Sequence, residues 1–278
     1  MTSPFARPIR RVARALARSV GGRALAFTWV WLSVFAIGGA SSSSCAQGRA
    51  GSATTDSLRV PILVYHSIAK HRVGQNGEQR ELDVDTGAFR AQMTYLATHG
   101  FQVISLPTLV NALERGTGVP ARSVVLTFDD GWETQYAFAF PILRQLHFTA
   151  TFFLFSQPIG TDRGYMTWAQ IKELQAAGMT IAAHSRTHPK LTLPGVSLAN
   201  EVAGSRQDLQ RQLGTAPDLF AYPYGAWDDR VAAAVRAAGF QAARALAGGD
   251  WNRASNLYAL HSVLATDNMQ LFERALGP

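Results

Sequence analysis

Two short segments of the 278-residue chain carry residues able to do chemistry together. Thr127-Phe128-Asp129-Asp130-Gly131 places two adjacent carboxylates directly after the apolar run Val124-Val125-Leu126. His184-Ser185-Arg186-Thr187-His188 places two imidazoles directly after another apolar run. Either segment alone fits an ordinary turn or a pair of surface histidines, since Asp-Gly is a common turn dipeptide. Together, at two strand ends, they can supply a metal site and a general base. Histidines four residues apart could share a helix face, as in zinc-protease motifs. Pro189, directly after His188, biases that residue away from helix, so a loop that curls both rings onto one ion fits better. Two neutral imidazoles and one carboxylate make three ligands and leave positions open for water and substrate, the catalytic arrangement for zinc. The second carboxylate can then take a proton from a water whose pKa the metal lowers toward ~7.

Such groups meet only if a scaffold gathers distant segments. From residue 58 onward, strand-like apolar runs at 60–65, 103–105, 123–128, 150–155, 179–183, 219–222 and 258–263 alternate with helical patterns. Those patterns cover 86–99, 106–114, 135–146, 167–177, 197–213, 228–238 and 269–276. The alternation predicts an α/β fold, a largely parallel sheet with helices outside, and the number of repeats suits a barrel. Parallel barrel strands present their carboxyl ends on one face, where active sites form. Asp129 and Asp130, His184, Tyr222-Pro223-Tyr224-Gly225 and His66 each follow a run, so this architecture predicts that they share that face.

The net charge of +7 and a pI near 10 invite a nucleic-acid reading. However, six of the 26 basic residues (Arg7, Arg10, Arg11, Arg14, Arg18 and Arg23) lie in residues 1–46, which hold no acid. The remaining 20 face 19 acidic residues, and no basic stripe is left to follow phosphates, which argues against nucleic-acid binding. Residues 1–46 read as an export signal: a basic start, an apolar stretch over 24–40, and Ser44-Cys45-Ala46 as the cleavage site. An uncleaved membrane anchor is the alternative, although the stretch is barely long enough to span a bilayer. Cys45, the only cysteine, is either removed with the signal or lipidated, and has no catalytic role in either case. Residues 47–57 read as a linker and 58–278 as a single catalytic domain.

The aspartate and histidine segments resemble the first two motifs of the polysaccharide deacetylases, the NodB-homology domain of carbohydrate esterase family 4. The similarity runs through Val60-Pro61-Ile62-Leu63-Val64-Tyr65-His66, Pro141-Ile142-Leu143, Ala150-Thr151-Phe152-Phe153 and Phe220-Ala221-Tyr222-Pro223-Tyr224-Gly225. The resemblance implies an irregular (β/α)7-type barrel in which Asp129 is the general base and Asp130, His184 and His188 hold a divalent metal. Zinc suits that set, as do cobalt, nickel and iron. It further implies that a water activated at the metal attacks the acetamide of an N-acetylated sugar polymer. The metal and a backbone N–H near Tyr224 would stabilise the oxyanion, and acetate would leave.

The later motifs depart from the family pattern. An arginine that steadies the base usually opens the third, where this chain has Ala221. That form resembles the branch acting on poly-β-1,6-N-acetylglucosamine. Asp250-Trp251 is the candidate for the tryptophan-bearing fourth motif, and His261 for the general acid of the last. Tyr224 and Trp132 are candidates for stacking on sugar rings, and His66 for substrate contact. His71, His99 and His147 read as structural or surface residues. The expected partner is an acetylated polysaccharide, with the membrane reached only through the N-terminal segment or a lipid on Cys45. An O-acetyl esterase acting on xylan and a weakly active carbohydrate-binding protein are the competing readings.

Overall fold

The structure, a computed structural model, describes residues 57–70 and 82–277. The expected export signal, Cys45, the linker up to residue 56 and His71 lie outside these described residues. The elements run β1 (Leu58–Arg59), β2 (Ile62–Tyr65), β3 (Ser67–Ile68), β4 (Asp83–Val84), α1 (Thr86–Thr98), β5 (Gln102–Val103), α2 (Leu106–Arg115) and β6 (Ser123–Asp130). They continue with α3 (Phe140–Gln145), β7 (Thr151–Leu154), α4 (Trp168–Ala176), β8 (Thr180–Ala183), α5 (Gly204–Leu213) and β9 (Leu219–Ala221). The last are α6 (Asp229–Ala237), β10 (Ala242–Gly248), β11 (Trp251–Asn252), β12 (Leu260–Leu264) and α7 (Met269–Leu276).

Strand β6 is buried along its whole length, as its continuous apolar run demands of a strand covered on both faces. It pairs in parallel with β7, and the sheet proceeds through β8, β9, β10 and β12 to β2. Strand β2 pairs with β6 in turn, closing a seven-stranded parallel barrel.

Alternation along the strands sorts their side chains. Val125, Phe153, Ala182, Ala221, Ala242 and Leu260 fall in one buried cluster, which fills the barrel. Leu126, Phe128, Phe152, Ala183, Phe220 and Ala243 fall in another, with Phe89 of α1, Leu143 of α3, Ile171 of α4, Leu209 of α5 and Val235 of α6. Leu106, Leu109 and Leu113 of α2 join the interior cluster and plug the end where the strands begin. The opposite end stays open to the segments that carry the acids and imidazoles.

The barrel agrees with the fold read from the sequence, but one of its members does not. The expected strand at 103–105 appears as β5, which pairs with β6 outside the closed ring. Its place in the ring is taken by β10, whose Ala242-Ala243-Arg244-Ala245-Leu246-Ala247-Gly248 sequence gives little strand signal because alanine and glycine are poor strand formers. Two expected helices also open differently. The stretches Gln135–Ala139 and Ala199–Ala203 are π-helical turns before α3 and α5. In the first, Pro141 lacks the N–H that an α-helical turn would use, and a wider turn precedes it.

Candidate active site

Asp129 and Asp130 end β6, and the chain turns sharply there, with Asp130 at φ 75° and Gly131 at φ 85°. A Cβ on Gly131 would lie 2.9 Å from side-chain carbons of Leu154 and Ile159, so glycine serves both the turn and the close approach. Asp129 is in phase with the interior residues Val125 and Thr127, and its carboxylate points into the mouth of the barrel. There Arg244 of β10, almost fully buried, donates through Nη2 to Asp129 Oδ2. The guanidinium lies over the Phe153 ring at 5.2 Å, and its Nη1 is 3.4 Å from Ser262 Oγ. From the helical side, Gln135 Nε2 donates to the backbone carbonyls of both Asp129 and His66, tying two strand ends together.

Burial alone would raise the Asp129 pKa, but the Arg244 charge, aided by His184 and His66, outweighs it and holds the carboxyl below its ordinary value. Oδ2 is engaged by arginine, whereas Oδ1 is buried with no hydrogen-bond partner. Asp130 differs. Burial, reinforced by the neighbouring Asp129 charge, pushes it up to about 6 despite the opposing pull of His66 and a hydrogen bond from Trp132 Nε1 to Oδ2 at 3.0 Å.

His184 follows β8 and is in phase with interior Ala182. Its Nδ1 lies 2.8 Å from the carbonyl of Ala221, so Nδ1 carries the proton and donates. Burial drops its pKa to about 3, and the neutral ring presents the Nε2 lone pair to the cluster. His188, whose pKa burial also lowers, sits at φ 61° with its N–H donating to Ser185 Oγ at 3.0 Å. The two Nε2 atoms are 3.2 Å apart, and lie 3.7 and 3.4 Å from Asp130 Oδ1. At that separation either one ring donates an N–H to the other or the two nitrogens share a cation. Asp130 Oδ1 is buried without a hydrogen-bond partner, and the three ligand atoms fall within 4.8 Å of one another. Two nitrogens and an unpartnered carboxylate oxygen facing one point fit a divalent cation.

The rim holds three more of the predicted residues. His66, one residue past β2, puts Nε2 3.9 Å from Asp129 Oδ2. Trp132 stacks on Tyr165, with centroids 4.5 Å apart. Tyr224, exposed and at φ 59°, lays its ring 4.7 Å from that of His188, with Lys190 Nζ 5.5 Å from the Tyr224 ring.

His261 is not brought to this cluster. It is out of phase with Leu260 and Ser262, which face the interior, so its side chain points outward. Its backbone is bracketed by the Asn252 amide on β11, the strand that pairs with β1 ahead of β2. In register His261 falls about five residues below the level of Asp129, roughly 16 Å along the strand. An acid at that position cannot reach the carboxyl-end face, which corrects the expectation from the sequence. Asp250-Trp251 lies at the same distal end, where Asp250 accepts from Arg59 Nε at 2.6 Å and Trp251 is half exposed. His99 stacks on Tyr95 at the end of α1, and His147 occupies a left-handed turn after α3. The residue missed from the sequence is Arg244: the arginine lacking at Ala221 arrives from the unrecognised strand β10. Its signal was a lone arginine within an alanine-rich apolar run.

Residues 116–243 match the family described as polysaccharide deacetylase. The Bacillus subtilis protein YxkH, whose name places it provisionally in that family, is 27% identical over 217 residues, covering 78% of this chain and 75% of its own. The poly-β-1,6-N-acetyl-D-glucosamine N-deacetylase of Escherichia coli K12 is 30% identical over 141 residues, 44% of this chain. That match spans only 20% of the longer enzyme. Among solved structures, the Streptococcus pyogenes deacetylase PplD in complex with acetate superposes with a TM-score of 0.71 at 25% identity, covering 80% of this chain and 99% of that one. The matched segment, the shared barrel and the acid–imidazole cluster at its mouth agree, and the chain carries a polysaccharide deacetylase domain.

Proposed function

We propose that the chain is a zinc-dependent N-deacetylase of a β-linked N-acetylglucosamine polymer, with the β-1,6-linked polymer as first choice. The observation that carries this reading is Asp129, held ionised by Arg244 with Oδ1 bare, beside the Asp130–His184–His188 set. A cation held by those three residues would supply Lewis-acid activation of water and of the acyl oxygen. Asp129 Oδ1 accepts the proton released as water adds to the acetamide carbon. The proton taken up by Asp129 is the one available to the departing amine, and His66 Nε2 lies 3.9 Å from Asp129 Oδ2. Tyr224 and the Trp132–Tyr165 stack flank the cluster and offer aromatic faces to sugar rings. The choice of the β-1,6 polymer is supported by the name of the Escherichia coli relative and by the alanine form of the third motif. Residues 1–46 fit export to the periplasm or beyond, with an anchored or lipidated N-terminus as the alternative form.

The test is acetate release by zinc-loaded protein from β-1,6- and β-1,4-linked N-acetylglucosamine oligomers and from acetylated xylan. Release from the β-1,6 series, abolished by Asp129→Asn, is expected. Release from xylan alone would make the chain an O-acetyl esterase, and binding without release from any of them would reduce it to a carbohydrate-binding protein. Mass spectrometry of the N-terminus of the exported protein checks cleavage after Ala46 against a lipid on Cys45.

A further inference from the structure

We propose that Glu201 is a positioning residue of the metal site, one that holds the loop carrying His188 in a backbone conformation the loop would not keep by itself. Ser185 and His188 both lie in the left-handed region, at φ 67° and 61°. For residues with a Cβ this conformation is strained and persists only where the surroundings enforce it. Glu201 supplies the enforcement. It is buried on the π-helical turn Ala199–Ala203, and its Oε2 accepts from the consecutive backbone N–H groups of Arg186 (3.0 Å) and Thr187 (2.8 Å). Its Oε1 accepts from Thr187 Oγ1 at 2.8 Å and from Asn200 Nδ2 at 3.3 Å. Three of these four bonds come from the short segment between the two histidines.

A second tie runs alongside. Arg186 donates through Nε (2.7 Å) and Nη2 (2.8 Å) to Asp208 of α5, which also accepts from Ser156 Oγ at 2.9 Å. Gly204 leaves room for it, since a Cβ there would stand 3.0 Å from the guanidinium carbon. Without the Glu201 carboxylate, two adjacent backbone donors lose their acceptor. Ser185 and His188 can then relax, and the Nε2 of His188 leaves its place 3.2 Å from that of His184. Residues that orient ligands in this way are typically worth 10–100-fold in metal affinity.

This inference rests on the reading of Asp130, His184 and His188 as a metal site, and the experiment separates the two. Zn2+ affinity is measured by competition with a chromophoric chelator for wild type, Glu201→Gln and Glu201→Ala. Arg206→Ala, which breaks the ion pair between α5 and Asp218 just ahead of β9, is the control. Thermal unfolding of each metal-free protein is recorded alongside, with the absorption spectrum of each Co2+-loaded form. Zn2+ binding 10–100-fold weaker in the Glu201 variants, a shifted Co2+ spectrum, and wild-type behaviour in Arg206→Ala are expected. Glu201→Gln keeps the shape of the side chain and carries the test if Glu201→Ala does not fold. Unchanged Zn2+ affinity in folded Glu201 variants, even with lowered thermal stability, overturns the proposal, as does equal weakening in Arg206→Ala. A wild type that binds no Zn2+ overturns the metal-site reading, and the proposal with it.

Discussion

The proposed ligand side of the site, Asp130 with His184 and His188, is fixed largely by backbone conformation and short-range bonds, whereas the proposed base, Asp129, is fixed by side chains from distant parts of the chain. On the ligand side, three left-handed residues (Asp130, Ser185 and His188) turn the chain so that two local motifs face one point. The bonds that hold them span few residues: Ser185 to His188, and Glu201 to Arg186 and Thr187. On the base side, Asp129 meets an arginine 115 residues away, and a glutamine joins it to the end of β2. The base therefore depends on closure of the whole barrel, while the ligand loop depends on its own clamp. Variants can break one side and spare the other.

Asp129→Asn should have the largest effect on turnover. It preserves shape but removes the proton acceptor, so acetate release should fall on the order of 10²–10⁴-fold while one zinc per chain is retained. Loss of bound zinc in that variant, read by atomic absorption, would show that the two carboxylates do not divide their roles.

Arg244→Met attacks the base side through stability. It leaves a buried carboxylate without its counter-charge, a change that typically costs about 3–5 kcal/mol. Urea unfolding should show a loss of that size, along with a marked loss of acetate release. A loss below ~1 kcal/mol would mean that Asp129 is not held by this pair.

The same contrast explains what could be read from the sequence. The meeting of Asp129, Asp130, His184 and His188 at one mouth of the barrel was legible because each pair sits in a short segment next to an apolar run. The barrel was legible because strand and helix periods alternate. Arg244 was not, since β10 is alanine-rich and the partner of its side chain appears only when β10 and β6 face each other across the barrel. His261 was misread for the related reason that inward or outward phase along β12 is set by barrel register, which a motif does not report. Glu201 carried no signal, because its partners are backbone N–H groups. Local chemistry is visible in a sequence, whereas cross-barrel pairing is not.

Trp132→Phe probes the ligand side more gently. It keeps an aromatic ring against Tyr165 but removes the Nε1–H donor to Asp130 Oδ2. Zinc affinity should weaken about tenfold, with the stability of the metal-free protein little changed. An equal loss in Trp132→Ala and none in Trp132→Phe would assign the effect to packing rather than to the hydrogen bond.

Asp208→Asn tests the outer tie of the ligand loop and should give the smallest effect. The hydrogen bonds from Arg186 depress the Asp208 pKa against the opposing effect of burial, with Ser156 and Arg211 assisting. A folded-state pKa below the unfolded value of about 3.9 means that the stabilisation is complete above that pH. It fades as pH falls through the folded-state value, because the unfolded chain takes up its proton first. Wild type should therefore exceed Asp208→Asn by roughly 1 kcal/mol at pH 7, and the gap should close well below pH 4. Urea unfolding at pH 7 and pH 3 measures both. A gap that stays constant with pH would mean that the Arg186–Asp208 contact works by shape rather than by charge, leaving Glu201 as the charged element of the clamp.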